Sequence, residues 1–215
     1  MKIKKVFLIL IIIFSLAGCV NLDNLSYDDI LNNLSLKAKS ANIFKRGHQF
    51  YLPKGMHIED SGENYAIISS SDVNYYLYID LVSYNNKSNF NYEKNDKALY
   101  EVSLNYRGKK GYAEIILWEN NQYLIEIVYN YAKIEVMVDE NLIKKALANS
   151  VSILNSVRYN DLVIEDMLAD DNLDYTEEIF DLFEDTKDNS NILDFDNTIV
   201  EEDEKEEIKD TDYIN

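Results

Sequence analysis

Two histidines, one cysteine and several runs of carboxylates carry whatever chemistry this 215-residue sequence could perform. His48 and His57 flank Pro53-Lys54-Gly55, where a hairpin would bring the imidazoles together and Glu59 or Asp60 could complete a metal site. No H-E-x-x-H or C-x-x-C spacing accompanies them, and histidines beside a turn commonly belong to the surface. Asp170, Asn172 and Asp174 match positions 1, 3 and 5 of a calcium loop. Tyr175, however, stands at the sixth position, where the turn needs glycine, and Asp181 at the twelfth, where glutamate closes the site. Residues 107–111 join two glycines to three bases without a phosphate-loop pattern, which makes a polar hairpin. The expectation is a protein that is not an enzyme, with no catalytic residues, no metal and no cofactor.

The 17 tyrosines suggest a second reading. Tyrosine offers an apolar ring with a hydroxyl at its edge, and Tyr76, Tyr78 and Tyr84 would share a strand face with Asp80, as a platform or cavity for a glycan or small molecule requires. Tyrosine is also a favoured strand residue, so sheet packing explains the same composition. A ligand-binding protein with a tyrosine-lined cavity, lined also by Trp118, is the alternative function, and a hydrolase comes third.

Cys19 is the one thiol of the sequence, and its surroundings say how it is used. Lys2, Lys4 and Lys5 precede an apolar run of 11 residues from Val6 through Leu16. At about 17 Å as a helix, the run is too short for a hydrocarbon core of about 30 Å. Leu16-Ala17-Gly18-Cys19 resembles the lipobox of bacterial lipoproteins in all four positions. The resemblance implies that residues 1–18 are a signal peptide and that Cys19 receives a diacylglycerol before cleavage in front of it. The partner so implied is a membrane, held through lipid on Cys19 at the extracytoplasmic face. No second cysteine is available for a disulfide, so the folded part relies on its core.

Behind these residues stand the elements that must position them. Residues 19–43 read as a lipidated tether and a helix over 26–41. Ser26 and Asp29 form a capping box for that helix, Leu25 and Ile30 take the staple positions, and Leu34, Ala38 and Ala41 continue its apolar stripe. Residues 44–160 read as an α+β domain, an antiparallel meander covered by an N-terminal and a C-terminal helix. Strands are expected at 49–52, 65–69, 75–84, 98–106, 112–118, 123–129 and 132–138, with turn-forming links between the last four. A helix over 139–157 carries acids in its first turn and the stripe Ile143, Ala146, Leu147, Val151, Leu154 and Val157. The early segment Phe50-Tyr51-Leu52-Pro53-Lys54-Gly55-Met56, the long meander and the closing Ile153-Leu154-Asn155-Ser156-Val157-Arg158 resemble the PsbP/Mog1-like fold. That class consists mostly of small binding or assembly modules, so the resemblance implies no catalytic residues.

Charge divides the chain sharply. Residues 161–215 hold 22 acids and 3 lysines, net −19, whereas residues 19–160 hold 17 acids and 15 bases, net −2. An acidic tail of this kind repels nucleic acid and is largely a poor folder. Within it Ile179, Leu182 and Phe183 share one face of a short amphipathic helix, a candidate docking segment for a basic, apolar-grooved envelope protein. The competing reading is a solubilising spacer.

Overall fold

The computed structural model describes residues 22–71 and 73–169. The signal, Cys19, the calcium-like run at 170–174 and the docking residues Ile179, Leu182 and Phe183 lie outside the described residues. Within them the protein is α+β, with antiparallel sheets packed against helices.

A 3-10 turn at Leu22–Asn24 leads into helix α1, Tyr27–Leu31. The expected capping box is present: the Asp29 N–H donates to Ser26 Oγ at 3.1 Å, and Ser26 N–H donates to the Asp29 carboxylate at 3.0 Å. This helix is far shorter than 26–41. After Leu31 the chain makes only a 3-10 turn at Asn32–Ser35 and becomes extended at Leu36. Asn33 Nδ2 donates to Ile30 O and Ser35 Oγ to Asn32 O, so local side chains take the carbonyls that a continuing helix would use. Ile30, Leu31 and Leu34 are buried, but Ala38 and Ala41 join no helix.

Strands β1, Ile43–Phe44, and β2, His48–Phe50, form a small sheet with β10, Arg158–Tyr159. The main sheet has seven antiparallel strands: β3 His57–Ser61, β4 Tyr65–Ser70, β5 Val73–Ile79, β6 Ala98–Tyr106, β7 Lys109–Leu117, β8 Gln122–Tyr129 and β9 Ala132–Asp139. Its spatial order is β3-β4-β5-β9-β8-β7-β6. The expected single meander is thus two meanders joined where β5 pairs with β9. Two of the turns within the second meander are two-residue loops with both φ positive, Arg107-Gly108 and Asn130-Tyr131, the geometry that matches strand twist. The strand expected over 75–84 stops at Ile79. Asp80 instead caps helix α2, Leu81–Asn86, by accepting the Ser83 N–H at 2.8 Å.

After β9 a 3-10 turn at Glu140–Leu142 opens helix α3, Ile143–Ser156, which lies across the inner face of the main sheet. Its stripe meets Tyr75, Leu77 and Ile79 of β5, Ile125 and Ile127 of β8, and Ile134, Val136 and Val138 of β9 in one core cluster. Alternation in β5 is as expected from the sequence, with these three residues buried and Tyr76 and Tyr78 on the other side only partly so.

The folded region does not close at residue 160. Helix α4, Asp161–Leu168, follows, capped by Asn160, and puts Ile164 and Met167 in the core with no exposed surface. The acidic count obscured this helix because two apolar residues three apart suffice to seat it. Gly47, at φ +81°, leaves room for it: a Cβ there would lie 3.0 Å from Ile164 Cγ1 and 3.2 Å from Met167 Sδ. Ile164→Ala and Met167→Ala should each cost about 2–5 kcal/mol, and ending the chain after Asn160 should cost at least as much. Urea midpoints of these variants check this; an unchanged midpoint would show that α4 does not contribute to the core.

Candidate functional site: a roofed carboxylate row and a basic end

The strand registers bring together four glutamates that sequence reading passed over. Glu101 stands opposite Glu114, Glu114 opposite Glu126, and Glu126 opposite Glu135, one row across β6, β7, β8 and β9. Directly opposed side chains have Cβ atoms about 4.5–5.5 Å apart, and like charges there repel. Glu114, Glu126 and Glu135 are only 1 to 2% exposed. The row lies on the outer face, away from α3, and residues 87–97 roof it. Phe90 and Tyr92 stack on Tyr112 with ring centroids 5.6 and 4.7 Å apart.

Each carboxylate has a donor. Tyr92 Oη and the Asn95 N–H donate to Glu101 at 2.8 and 2.9 Å, and Asn95 Nδ2 donates to Glu114 at 2.8 Å. Tyr112 Oη donates to Glu126, and Lys133 Nζ reaches Glu135 at 3.3 Å. The Tyr92 hydroxyl and the Asn95 N–H hold the Glu101 carboxyl below the usual range. Burial, reinforced by Glu101, pushes the Tyr92 phenol up. Paired carboxylates are the material of acid–base catalysis, but three cavities of the described residues have other linings. Here Glu101 and Glu114 anchor the roof through Tyr92 and Asn95. The sequence signal was visible: Glu114 and Glu126 occupy the same strand phase as Tyr112 and Ile116, or Leu124 and Val128.

Many tyrosines act as ties between elements. Tyr100 Oη donates to Asp28 at 2.7 Å and Tyr106 Oη to Asn32 at 2.9 Å, fastening α1 and the turn after it to β6. Tyr131 donates to Ser88 O, Tyr159 to Asn130 O and Tyr84 to Asp161, which joins α2, β10 and α4 around the end of the sheet. Burial and the Asp161 carboxylate push the Tyr84 phenol up to about 12. The proposed platform of Tyr76, Tyr78, Tyr84 and Asp80 does not exist as one face: Tyr84 is on α2, and Asp80 is a buried cap whose carboxyl desolvation pushes up. Three cavities of the described residues are lined by other tyrosines, Tyr131, Tyr159 and Tyr75, one in each.

The largest of these cavities is an open groove of about 640 Å³ between the small sheet and the start of α4. Phe44, Lys45, Arg46, Gly47, Arg158 and Leu162 are among its lining residues. Lys45 Nζ donates to Ser61 Oγ at 2.7 Å, Arg46 pairs with Asp166 at 3.5 Å, and Arg158 donates to the Asn155 and Val157 carbonyls at the end of α3. Beside it is a smaller cavity of about 160 Å³ whose lining includes Lys87, Lys109 and Lys110. The Tyr159 hydroxyl on Asn130 O connects the two. Burial, then the nearby Arg158 and Arg107 charges, push the Lys109 ammonium down.

His48 and His57 are not brought together by a hairpin. His48 is buried in the small sheet beside the groove, whereas His57 is exposed on β3 of the main sheet, 3.8 Å from Glu59. Among the described residues no group of three or more His, Cys, Asp or Glu is arranged to hold a metal. Neither protein-family models nor curated proteins give a match to this chain.

Burial lowers His48 to about 4, with Lys45 adding to the effect and a hydrogen bond to the Arg46 backbone opposing it. Between pH 6.5 and 4 the unfolded chain therefore binds a proton at this residue that the native chain refuses, and native stability is lost as the pH drops through that window. The stability of wild type relative to His48→Gln should drop by about 3 kcal/mol across that window. Parallel profiles in chemical unfolding would show that the imidazole is not desolvated.

Proposed function

We propose that this protein is an exported lipoprotein, held at the extracytoplasmic face of a membrane by lipid on Cys19, and that it works as a binding or assembly module without chemistry of its own. The observation that supports this best is the position of the basic groove relative to the tether. Leu22 is three positions beyond Cys19, and its turn is fixed at the start of α3, where Lys144 Nζ donates to Asp23 O at 2.6 Å. Arg158 and the groove are at the other end of the same helix, about 21 Å away at 1.5 Å per residue. A chain tethered at residue 19 thus presents its groove away from the bilayer, toward other envelope proteins.

Concave sites rimmed by bases and exposed apolar side chains suit an acidic amphipathic segment better than a small uncharged ligand. The tyrosines support the same choice, since so many of their hydroxyls are used inside the fold. In this reading the segment after α4, with Ile179, Leu182 and Phe183, is the docking element of the module.

The anchor is testable separately from the docking. In cells fed labelled fatty acid, wild type should carry label, and Cys19→Ala should accumulate as an unlabelled, unprocessed precursor. Label on the Cys19→Ala protein would overturn the lipid assignment.

A further inference from the structure

We propose that the basic groove is occupied by this chain's own acidic segment, residues 170–215, with Ile179, Leu182 and Phe183 as its apolar anchors. The proposal rests on reading residues 179–183 as an amphipathic docking segment, and adds what that segment binds. Its first support is charge. The groove lining holds Lys45, Arg46 and Arg158 against Asp161, with Asp166 pairing Arg46 from outside the lining, and the adjoining cavity adds Lys87, Lys109 and Lys110 with no acid. Asp60 and Glu63, on β3 and the turn that follows it, line neither. Residues 170–215 carry 19 acids and 3 lysines.

Apolar surface points to the same place. Among the exposed large hydrophobics the two most exposed are Phe44, at 71%, and Leu162, at 78%, and both line this groove. They give an incoming Leu182 or Phe183 something to cover, and a few such anchors supply most of the energy of a docked segment. Crowding of Arg107, Lys109 and Arg158 leaves mutual repulsion that carboxylates would relieve.

The chain also leaves the described domain at the right point. Near the end of α4, Asp166 holds Arg46, and Met167 packs over Gly47, so the strand of chain that follows starts at the groove's rim. Ile179 is ten positions beyond Ala169, enough to reach about 33 Å when extended. Attachment at this distance gives a local concentration in the millimolar range, which favours the chain's own segment over that of a second copy. A bilayer is the poorer occupant, because the tether leaves from the opposite end of α3.

Paramagnetic broadening in the chain from residue 19 onward, carrying Cys19→Ser and a spin label on Thr186→Cys, tests the contact directly. At low salt the label should broaden amides of Gly47, Arg158 and Leu162, high salt should weaken the effect without abolishing it, and dilution should leave it unchanged. Arg158→Glu should reduce it severalfold. Because Arg158 also caps α3, Lys110→Glu provides a second charge reversal, at an exposed position at the start of β7, with the same expected direction. Broadening that is absent at low salt overturns the proposal. So does broadening that appears only when labelled chains are mixed with isotope-labelled, spin-free chains, which would assign the groove to a second copy. Lipid on Cys19 plays no part in this measurement, so failure of docking and failure of the anchor assignment are told apart.

Discussion

The pairing of β5 with β9 is the contact on which the rest of this architecture depends. It joins Tyr75 to Val136 and Ile79 to Ala132, across more than fifty residues of chain, and closes that long loop against its entropy. The gain is a continuous seven-stranded sheet whose inner face α3 can cover. There is also a topological consequence. A chain leaving β5 cannot enter β6 beside it, since β9 already holds that edge, and must travel to the opposite margin of the sheet before β6 begins. The buried Asp80 cap starts that crossing and the Tyr131–Ser88 hydrogen bond turns it; Phe90, Tyr92 and Asn95 then hold it over the outer face. The glutamate row lies under this crossing. Four carboxylates in register would otherwise be a repulsive strip along an outer face, but phenol, amide and ammonium donors satisfy them, and Glu101 and Glu114 become the attachment of the roof.

That pairing explains which parts of the fold could be read from sequence. Hairpins are local, so Arg107-Gly108 and Asn130-Tyr131 announced β6 to β9, and the broad stripe from Ile143 to Val157 announced α3. The capping box at Ser26 was equally legible, but its helix ended early because Asn33 and Ser35 bond to neighbouring carbonyls. Pairings distant in sequence left no local mark. β1, β2 and β10 are two or three residues each, too short for any periodicity, and β5 seemed to continue through Tyr84 because Asp80 caps a helix at a point where alternation persists by chance. The glutamate row needed the strand registers before its four members could be seen as one feature.

The boundary after residue 160 illustrates how average charge misleads. The segment 161–169 carries Asp161, Glu165 and Asp166, but these point outward while Ile164 and Met167 fill the space that Gly47 leaves. The hydrophobic contribution of two fully buried side chains, about 1.5–3 kcal/mol each, outweighs the repulsion among three exposed carboxylates, which water and salt screen. His48 is buried against the same corner and gives it a pH dependence.

A groove lined by bases next to the exit of an acidic chain sets a threshold for any partner. If the attached segment sits there at millimolar local concentration, a competitor in solution must match that concentration multiplied by its own relative affinity before it displaces the segment. Weak acidic contacts would then be excluded, and only a partner that binds the groove more tightly, or one with a basic surface that draws the segment away, would open it. Since attraction between exposed charges weakens with salt while burial of Phe44 and Leu162 does not, the two contributions separate by ionic strength. Charge would govern how fast the segment returns, and the apolar rim how long it stays.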